Sequence, residues 1–317
     1  MTPSSPRAAY VAVLLAFPGL LIAQSTRITG PLLGYAWDQT ANRLQPILGV
    51  PGAATLGRPV DPGIAVSAAA ISPVNDLMVA VSADDGQAML MPLAAAGRHA
   101  AVGCEAWADR IVFSPRGTAA ALYHSDSRIV QALRGLPGAP VPLAAAIAGP
   151  ADVLAVSDDG SAVAVGTSGL VTIVGPDGAS ATVTITAAAL VFRPGGRDLL
   201  IIDAAANQLV LVRDGKQQVL AGPEDGIAAA VAMAVSDDGG RAFVANSGGG
   251  ILTVGIETGV RTITPTPQPA TGFSRLRGDS VFRVTDVSAG AAWIFDGGAT
   301  GPRMLFIPAV QAERSGQ

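Results

Sequence analysis

The six residues AVSDDG occur twice, at Ala155–Gly160 and at Ala234–Gly239, and each copy carries two adjacent carboxylates. Paired aspartates are typical of Ca²⁺ sites, which need about six to eight oxygen ligands. The equivalent positions of two related segments, SPRG and RPGG, include Arg116 and Arg193, which would repel a cation. The pattern therefore favours turn chemistry, in which an Asp or Ser oxygen caps the turn and the final glycine tolerates a positive φ.

Histidine and cysteine offer little further chemistry. His124 and Asp126 are spaced to form part of a metal site or an acid–base pair, but the only other histidine, His99, lies on a different connection. Zinc needs three or four ligands, which the spacing does not supply. Cys104 is the only cysteine, so it cannot form an intramolecular disulfide, and no histidine lies beside it. The sequence predicts no catalytic residue, no metal and no cofactor.

The elements that carry these residues follow from a repeat. Segments similar to AVSDDG recur at steps of 36 to 43 residues, and their equivalent positions are Ser72, Ser114, Ser157, Arg193, Ser236 and approximately Arg277. Each unit contains four short apolar runs separated by Gly, Asp, Asn or Pro, which is typical of four β-strands joined by tight turns. A repeat of this length, built from four strands, predicts an all-β fold with a single β-propeller.

The number of blades depends on the N-terminal region. Six full units span residues 66–103, 108–145, 152–186, 187–222, 230–265 and 272–309. A hairpin at Pro31–Leu48 precedes them, and its sequence is similar to the last two strands of a unit. The expected ring has seven blades with an incomplete first one; the alternative is six blades plus this hairpin. In either case we expect the hairpin to lie between the last blade and the first full one and to close the ring.

These units resemble the WD40-like and YVTN-type propeller repeats of bacterial secreted proteins. The resemblance rests on the turns SDDG, SPRG and RPGG and on a second turn, present as IETG (Ile256–Gly259) and DQTAN (Asp38–Asn42). It covers nearly all of the chain after its first 24 residues. The Trp-Asp strand ending of eukaryotic WD40 blades is approached only by Phe295–Asp296, and the Gly-His element is missing. The resemblance implies the fold rather than an activity.

The resemblance also implies a candidate site. In such propellers the loops between the second and third strands gather around one mouth of the central channel. In this chain those loops carry eight candidate ligand-binding residues: Asp84, Asp85, His124, Asp126, Asp203, Asn207, Asn246 and Asp286. The alternative interpretation is that Asp and Asn are simply the residues that hairpin turns use.

Charge and the N-terminus limit the partners and the compartment. The formal net charge is −4 and no Lys/Arg-rich run occurs, which argues against nucleic acid. Arg7, the apolar run Ala8–Ile22 and the small residue Ala23 predict a signal peptide at 1–23, with an uncleaved anchor as the alternative. We expect a propeller domain at 24–310, a disordered tail at 311–317, and a secreted or periplasmic monomer without membrane insertion after cleavage.

The functional expectation is a non-catalytic binding or scaffold module. Its partner would be a protein, peptide or glycan that contacts the channel mouth. The alternative is a hydrolase or lactonase-like enzyme of the same architecture, which would need a convergent set of acids, histidines and a basic group or metal at that mouth.

Overall fold

A computed structural model describes residues 30–308 apart from 96–98, 139, 147–148, 176–177, 179, 288–290 and 299. The predicted signal peptide at 1–23 and the predicted tail at 311–317 lie outside these residues. The described chain forms a seven-bladed β-propeller, which confirms the predicted all-β fold and the larger of the two blade counts. Its helical content in this range is limited to two single 3₁₀ turns, Leu93–Ala95 and Pro223–Asp225.

Each blade is one antiparallel sheet of consecutive strands. Blade 1 consists of Leu32–Asp38 (β1), Arg43–Val50 (β2) and Ala53–Leu56 (β3). Blade 2 consists of Val66–Ile71 (β4), Leu77–Ser82 (β5), Ala88–Pro92 (β6) and Ala100–Ala101 (β7). Blade 3 consists of Arg110–Phe113 (β8), Ala119–His124 (β9), Ile129–Arg134 (β10) and Val141–Ala146 (β11). Blade 4 consists of Val153–Val156 (β12), Val163–Thr167 (β13), Leu170–Val174 (β14) and Ser180–Val183 (β15).

The remaining three blades follow the same order. Blade 5 consists of Ala187–Phe192 (β16), Leu199–Asp203 (β17), Gln208–Arg213 (β18) and Lys216–Ala221 (β19). Blade 6 consists of Ala230–Val235 (β20), Arg241–Asn246 (β21), Ile251–Gly255 (β22) and Arg261–Thr264 (β23). Blade 7 consists of Ser274–Arg275 (β24), Val281–Arg283 (β25), Ala292–Asp296 (β26) and Arg303–Ile307 (β27). The first strand of each blade is the innermost.

The core lies between the blades rather than inside any one of them. Seven separate clusters of buried apolar side chains fill the seven gaps between neighbouring blades. The second strands are buried on both faces; all six residues of β5 and of β9 are buried. This explains why these strands are continuously apolar instead of alternating. A single blade cannot bury its own faces, so the stability of the fold depends on stacking in a closed ring.

We call the turn between the first and second strands of blades 2 to 7 the inner turn, and the side of the ring where these turns lie the turn face. Both AVSDDG copies form inner turns. Their second aspartates cap the turn: Asp159 Oδ1 accepts hydrogen bonds from Ser157 Oγ (2.6 Å) and Ser161 N (3.0 Å), and Asp238 does the same with Ser236 and Gly240. Hydrogen bonds from the Ser236 hydroxyl and the backbone lower the pKa of Asp238.

The first aspartates join neighbouring blades. Asp158 Oδ1 accepts a hydrogen bond from Arg116 N at 2.8 Å, and its Oδ2 accepts one from Gly195 N at 2.7 Å, so this side chain ties blade 4 to both of its neighbours. Asp237 receives hydrogen bonds from the Arg275 guanidinium and from Ser280 N in blade 7. The repeated turn therefore serves two purposes, a local cap and a contact between blades.

The strands of blade 1 differ from the sequence prediction in their direction and in their position within the blade. In the middle of β1, Tyr35 N donates to Asn75 Oδ1 (2.9 Å) in the inner turn of blade 2, which follows the end of β4. In the turn that follows β1, Asn42 Oδ1 accepts from Val66 N (2.9 Å), where β4 begins. Strands β1 and β4 therefore run in opposite directions. The prediction that this hairpin corresponds to the last two strands of a unit is wrong, because β1 is the innermost strand and β3 follows β2 outward.

The predicted location of the hairpin is confirmed. On one side, Ile47 packs in a cluster with Ile294 and Ile307 of blade 7. On the other side, Leu44 packs with Met78 of blade 2. Blade 1 thus closes the ring between the last and first full blades, with three strands and an additional bridge between Leu44 and Val60.

Candidate ligand-binding channel

The inner strands surround a central channel. A cavity of about 960 Å³ occupies its end at the turn face, where Pro73, Pro115 and Pro194 of three inner turns line it. A smaller cavity of about 300 Å³ lies toward the opposite face. Val112 and Phe273 line both cavities, so the two are ends of one channel.

The channel wall is largely apolar because the inner strands are rich in small and apolar residues. Alanines such as Ala70 and Ala234 leave room at the centre, and larger side chains such as Trp37, Met233 and Phe273 complete the wall. Phe273 is held edge-to-face against Phe282, with ring centroids 5.5 Å apart. The result is a concave apolar surface on a rigid scaffold, which is typical of ligand pockets.

The charged side chains of the larger cavity are mostly cationic. Four arginines and one aspartate line it: Arg116, Arg275, Arg277, Arg283 and Asp237. The smaller cavity has one of each, Arg110 and Asp152, and the Arg110 guanidinium donates to the Asp152 carbonyl oxygen. The excess of positive charge in the lining of the larger cavity contrasts with the formal net charge of −4 of the whole chain.

Arg275 lies in the wall between blades 6 and 7. Its guanidinium donates to Asp237 and to the Gly278 carbonyl oxygen (2.7 Å), and it stacks 4.9 Å from the centre of the Phe282 ring. Its Nη1 atom is buried and has no hydrogen-bond partner among the described residues. Burial lowers the pKa of Arg275, and the carboxylate of Asp237 opposes this effect only in part.

Arg283 is on the other face of blade 7. Because Arg275 pairs with Phe282 and Ser274 pairs with Arg283, the two arginines point to opposite sides of the sheet. The Arg283 guanidinium donates to the Thr285 carbonyl oxygen (2.6 Å) and to Ser274 Oγ (3.0 Å). Its Nε is also buried without a partner in the described structure, and burial lowers its pKa.

The two remaining arginines are exposed at the mouth. Arg116 lies 4.0 Å from the carboxylate of Asp158. Arg277 donates from Nη2 to the carbonyl oxygen of Asn75 at 3.2 Å. Within residues 30–308, as far as they are described, Arg277 forms no ion pair.

The eight sequence-predicted site residues lie elsewhere. All of them are in or beside turns between the second and third strands, and none is among the residues that line the two cavities. Several hold loops: Asp203 Oδ1 accepts from Ala205 N, Asn207 Oδ1 accepts from Ala229 N, and Asn246 bonds to Ala228 and Gly226. Their role in ligand binding stays a prediction.

The other five of these residues are not assembled into one site. The Asp84 and Asp85 side chains are in an exposed turn, where a hydrogen bond with Ser82 lowers the pKa of Asp85. Asp126 is exposed, whereas His124 is only 2% exposed and its Nδ1 lies 3.2 Å from the Ala106 carbonyl oxygen. Asp286 is exposed and forms an ion pair with Arg283 at 3.5 Å.

Neither a metal site nor a reactive thiol is found among the described residues. In the part of the chain that the structure describes, no three His, Cys, Asp or Glu side chains are grouped to hold a metal ion. Burial raises the pKa of the Cys104 thiol to about 11, so at neutral pH it is protonated and a weak nucleophile.

Sequence reasoning missed the arginines of the channel. Arg116 and Arg277 occupy inner turns and are visible in the repeat, but Arg116 served only as an argument against a calcium site and Arg277 only as an approximate repeat position. The signal that could have identified them is the recurrence of arginine in turns that lie around a common axis. Arg275 and Arg283 lie in strands of two and three residues, which are too short to be assigned from a pattern.

The comparisons with known proteins add the fold and nothing finer. No protein-family model and no curated protein match the chain. A solved structure that is similar is described as a functionally unknown protein from Desulfotomaculum acetoxidans DSM 771. The TM-score is 0.61 at 12% identity, over 89% of this chain and 96% of that one. At this identity the likeness shows a shared propeller fold only.

Proposed function

We propose that this protein is a non-catalytic binding module whose ligand enters the channel from the turn face. The observation that carries this proposal is the cavity of about 960 Å³, with an apolar wall and a few converging charged groups. Ligand pockets usually measure about 300–1,000 Å³ and have this mixture of surfaces. Arginine keeps its proton at any ordinary pH, so the four arginines favour binding over proton transfer.

The proposal keeps the partner classes that the sequence suggested but changes the surface. A peptide end or a small part of a glycan or protein partner would enter the cavity, while the inner turns around it would contact the remainder. Because the inner turns are tied to one another through Asp158 and Asp237, this surface is rigid before the ligand arrives, which lowers the entropic cost of binding.

Filling the cavity should abolish binding. Ala70 lines the channel but belongs to none of the buried clusters, so Ala70→Phe should occupy the cavity without disturbing a blade contact. Ala100, exposed on the outer strand β7, is the matched control position for the same substitution. We expect a thermal-shift screen of organic acids, sugars and short peptides to find ligands that stabilise the wild type and Ala100→Phe but not Ala70→Phe.

The expected shift follows from mass action. A ligand at a hundred times its Kd stabilises the folded state by about 2.7 kcal/mol, which raises Tm by several degrees in a domain of this size. Ligands that stabilise both variants equally would place the binding surface outside the channel and contradict the proposal.

We also propose that the protein is exported and related in type to the secreted WD40-like and YVTN-type propellers. Support comes from the Arg7, Ala8–Ile22 and Ala23 pattern and from the repeated turns. No helix in the described range has the length and apolarity needed to cross a membrane. N-terminal sequencing of the protein from its producing cell should return Gln24 as the first residue; a start at Met1 would contradict cleavage.

A further inference from the structure

We infer that the ligand is an amphipathic monoanion, with a carboxylate at Arg277 and Arg275 and an apolar body inside the channel. This inference rests on the proposed function, since it names the chemistry that the same cavity would accept. Two sources of that chemistry are considered, a free organic acid and the C-terminal carboxylate of a peptide.

The side chains that line the larger cavity indicate that the ligand is negatively charged. Four arginines against one aspartate give the larger cavity a formal lining charge of about +3, in a chain whose net charge is −4. Low-dielectric walls concentrate such a field and attract counter-ions of the opposite sign. The smaller cavity has one arginine and one aspartate, so the anionic end of the ligand belongs at the turn face.

The ion pairs formed by the lining arginines indicate that the ligand carries a single negative charge. Arg116, Arg275 and Arg283 each have a carboxylate partner within 4.0 Å, namely Asp158, Asp237 and Asp286. Arg277 has no such partner in the described structure and lies exposed at the mouth. One uncompensated positive charge suits a carboxylate better than a doubly charged phosphate.

The second contact of the carboxylate is Arg275. Its Nη1 donates to nothing among the described residues although it is buried, and an unpaired buried donor costs about 1–3 kcal/mol. Burial also lowers the pKa of Arg275, which indicates that the protein alone compensates its charge incompletely. The inference requires this guanidinium to turn toward the cavity when the ligand binds.

The apolar body of the ligand is matched by the walls below the two arginines. Ile71, Met233 and Phe273 line the cavity and present aliphatic, thioether and aromatic surface to it. Methionine adapts its shape to different apolar partners, which suits an unbranched chain or an apolar peptide end. A strongly hydrophilic anion would leave this surface in contact with water.

The test is a calorimetric titration of the full-length mature protein. The free-acid arm compares decanoate, below its micelle concentration, with decanol and inorganic phosphate. The peptide arm compares a Leu-rich pentapeptide with a free C-terminus and the same peptide amidated. The variants are Arg277→Gln, Arg277→Lys and, as matched control, Arg58→Gln, because Arg58 is exposed and does not line either cavity.

We expect decanoate or the free-carboxylate peptide to bind, and their neutral counterparts to bind at least about tenfold more weakly. Arg277→Gln should lower the affinity for the anion by about ten- to a hundredfold, Arg277→Lys should restore part of it, and Arg58→Gln should change nothing. Binding of decanoate would identify a free organic acid as the source of the carboxylate, and binding of the peptide would identify a peptide C-terminus. Unfolding midpoints of all variants confirm that they remain folded.

Two results would overturn the inference, and they differ from failure of the proposed function. If decanol binds as well as decanoate, or phosphate displaces both, the channel binds ligands but not amphipathic carboxylates. If neither arm binds, the ligand belongs to another chemical class. The proposed function itself fails only if Ala70→Phe leaves the binding of every ligand intact.

Discussion

Removal of residues 30–60 is expected to destroy the closed ring. This segment contains blade 1 and the bridge at Val60, and it buries Leu33, Leu44 and Ile47 almost completely between blades 7 and 2. Each buried side chain of this size contributes about 1.5–3 kcal/mol before entropy is subtracted, against a total stability of about 5–15 kcal/mol for a typical protein. The truncated protein should aggregate or lose its cooperative thermal transition, as measured by calorimetry and size-exclusion chromatography.

A point substitution tests the contribution of blade 1 to stability without deleting strands. Ile47 is fully buried against Ile294 and Ile307, so Ile47→Ala should cost about 2–5 kcal/mol of the free energy of unfolding. Val50, at the end of the same strand, is 50% exposed, and Val50→Ala should cost no more than about 0.5 kcal/mol. A truncated protein that melts at the parent temperature as a monomer would show that blade 1 is dispensable.

Asn75→Ala is expected to give the largest loss of any substitution in the inner turns. The Asn75 side chain joins three blades: its Oδ1 accepts from Tyr35 N in blade 1, and its Nδ2 donates to the Arg275 carbonyl oxygen in blade 7 at 3.0 Å. It is fully buried and has φ = +57°, a conformation that Asn tolerates better than Ala. The orphaned donor Tyr35 N, the orphaned acceptor Arg275 O and the left-handed backbone together should cost about 2–5 kcal/mol, measured by urea unfolding.

Two further variants separate the effect of the lost hydrogen bonds from the effect of the left-handed backbone. Asn75→Gly keeps the backbone conformation, so it should recover about 1–2 kcal/mol relative to Asn75→Ala. Asn207 has a similar φ of +52° but a single bond to Ala229 N, and Asn207→Ala should cost only about 2 kcal/mol. If Asn75→Ala were no more destabilising than Asn207→Ala, the junction of three blades would not depend on this side chain.

Much of the fold was predictable because the repeat encodes it locally. Each inner turn carries its own capping chemistry, so the Ser-Asp-Asp-Gly segments mark strand ends wherever they occur. Gly160 and Gly239 have φ values of +63° and +71°, as the turn interpretation requires. The unit expected at 187–222 agrees closely with blade 5, whose strands β16 to β19 begin at Ala187 and end at Ala221.

The direction of blade 1 was not predictable by the same reasoning. The spacing of apolar residues identifies a strand but does not show in which direction the strand runs through the blade. The likeness between DQTAN and IETG therefore remained the only guide, and it suggested an outer hairpin. Tertiary contacts decide the arrangement: Asn42, after β1, bonds to the start of β4, and Asn75, after β4, bonds to Tyr35 in the middle of β1. These contacts join residues 24 and 40 positions apart, and no local pattern specifies them.

The candidate site was harder still to predict, because its residues are spread over inner strands of several blades. Ala70, Met233 and Phe273 are ordinary apolar residues in the sequence, and only the ring brings them to one axis. Polar residues in turns, such as Asp203 and Asn246, attract attention in a sequence, yet their side chains are used to hold loops. The sequence thus indicated where polar groups gather, whereas the cavity lies at the other end of the channel.

The central claim, that the turn face of the channel binds the ligand, is tested most directly by a crystal structure of the protein soaked with decanoate. We expect one molecule in the larger cavity, with its carboxylate within hydrogen-bond distance of Arg277 and its alkyl chain against Met233 and Phe273. Decanoate bound only at the opposite face, among Asp84, Asp126 and Asp203, would contradict the claim, whereas a channel that stays empty at saturating decanoate would exclude the free acid as its ligand.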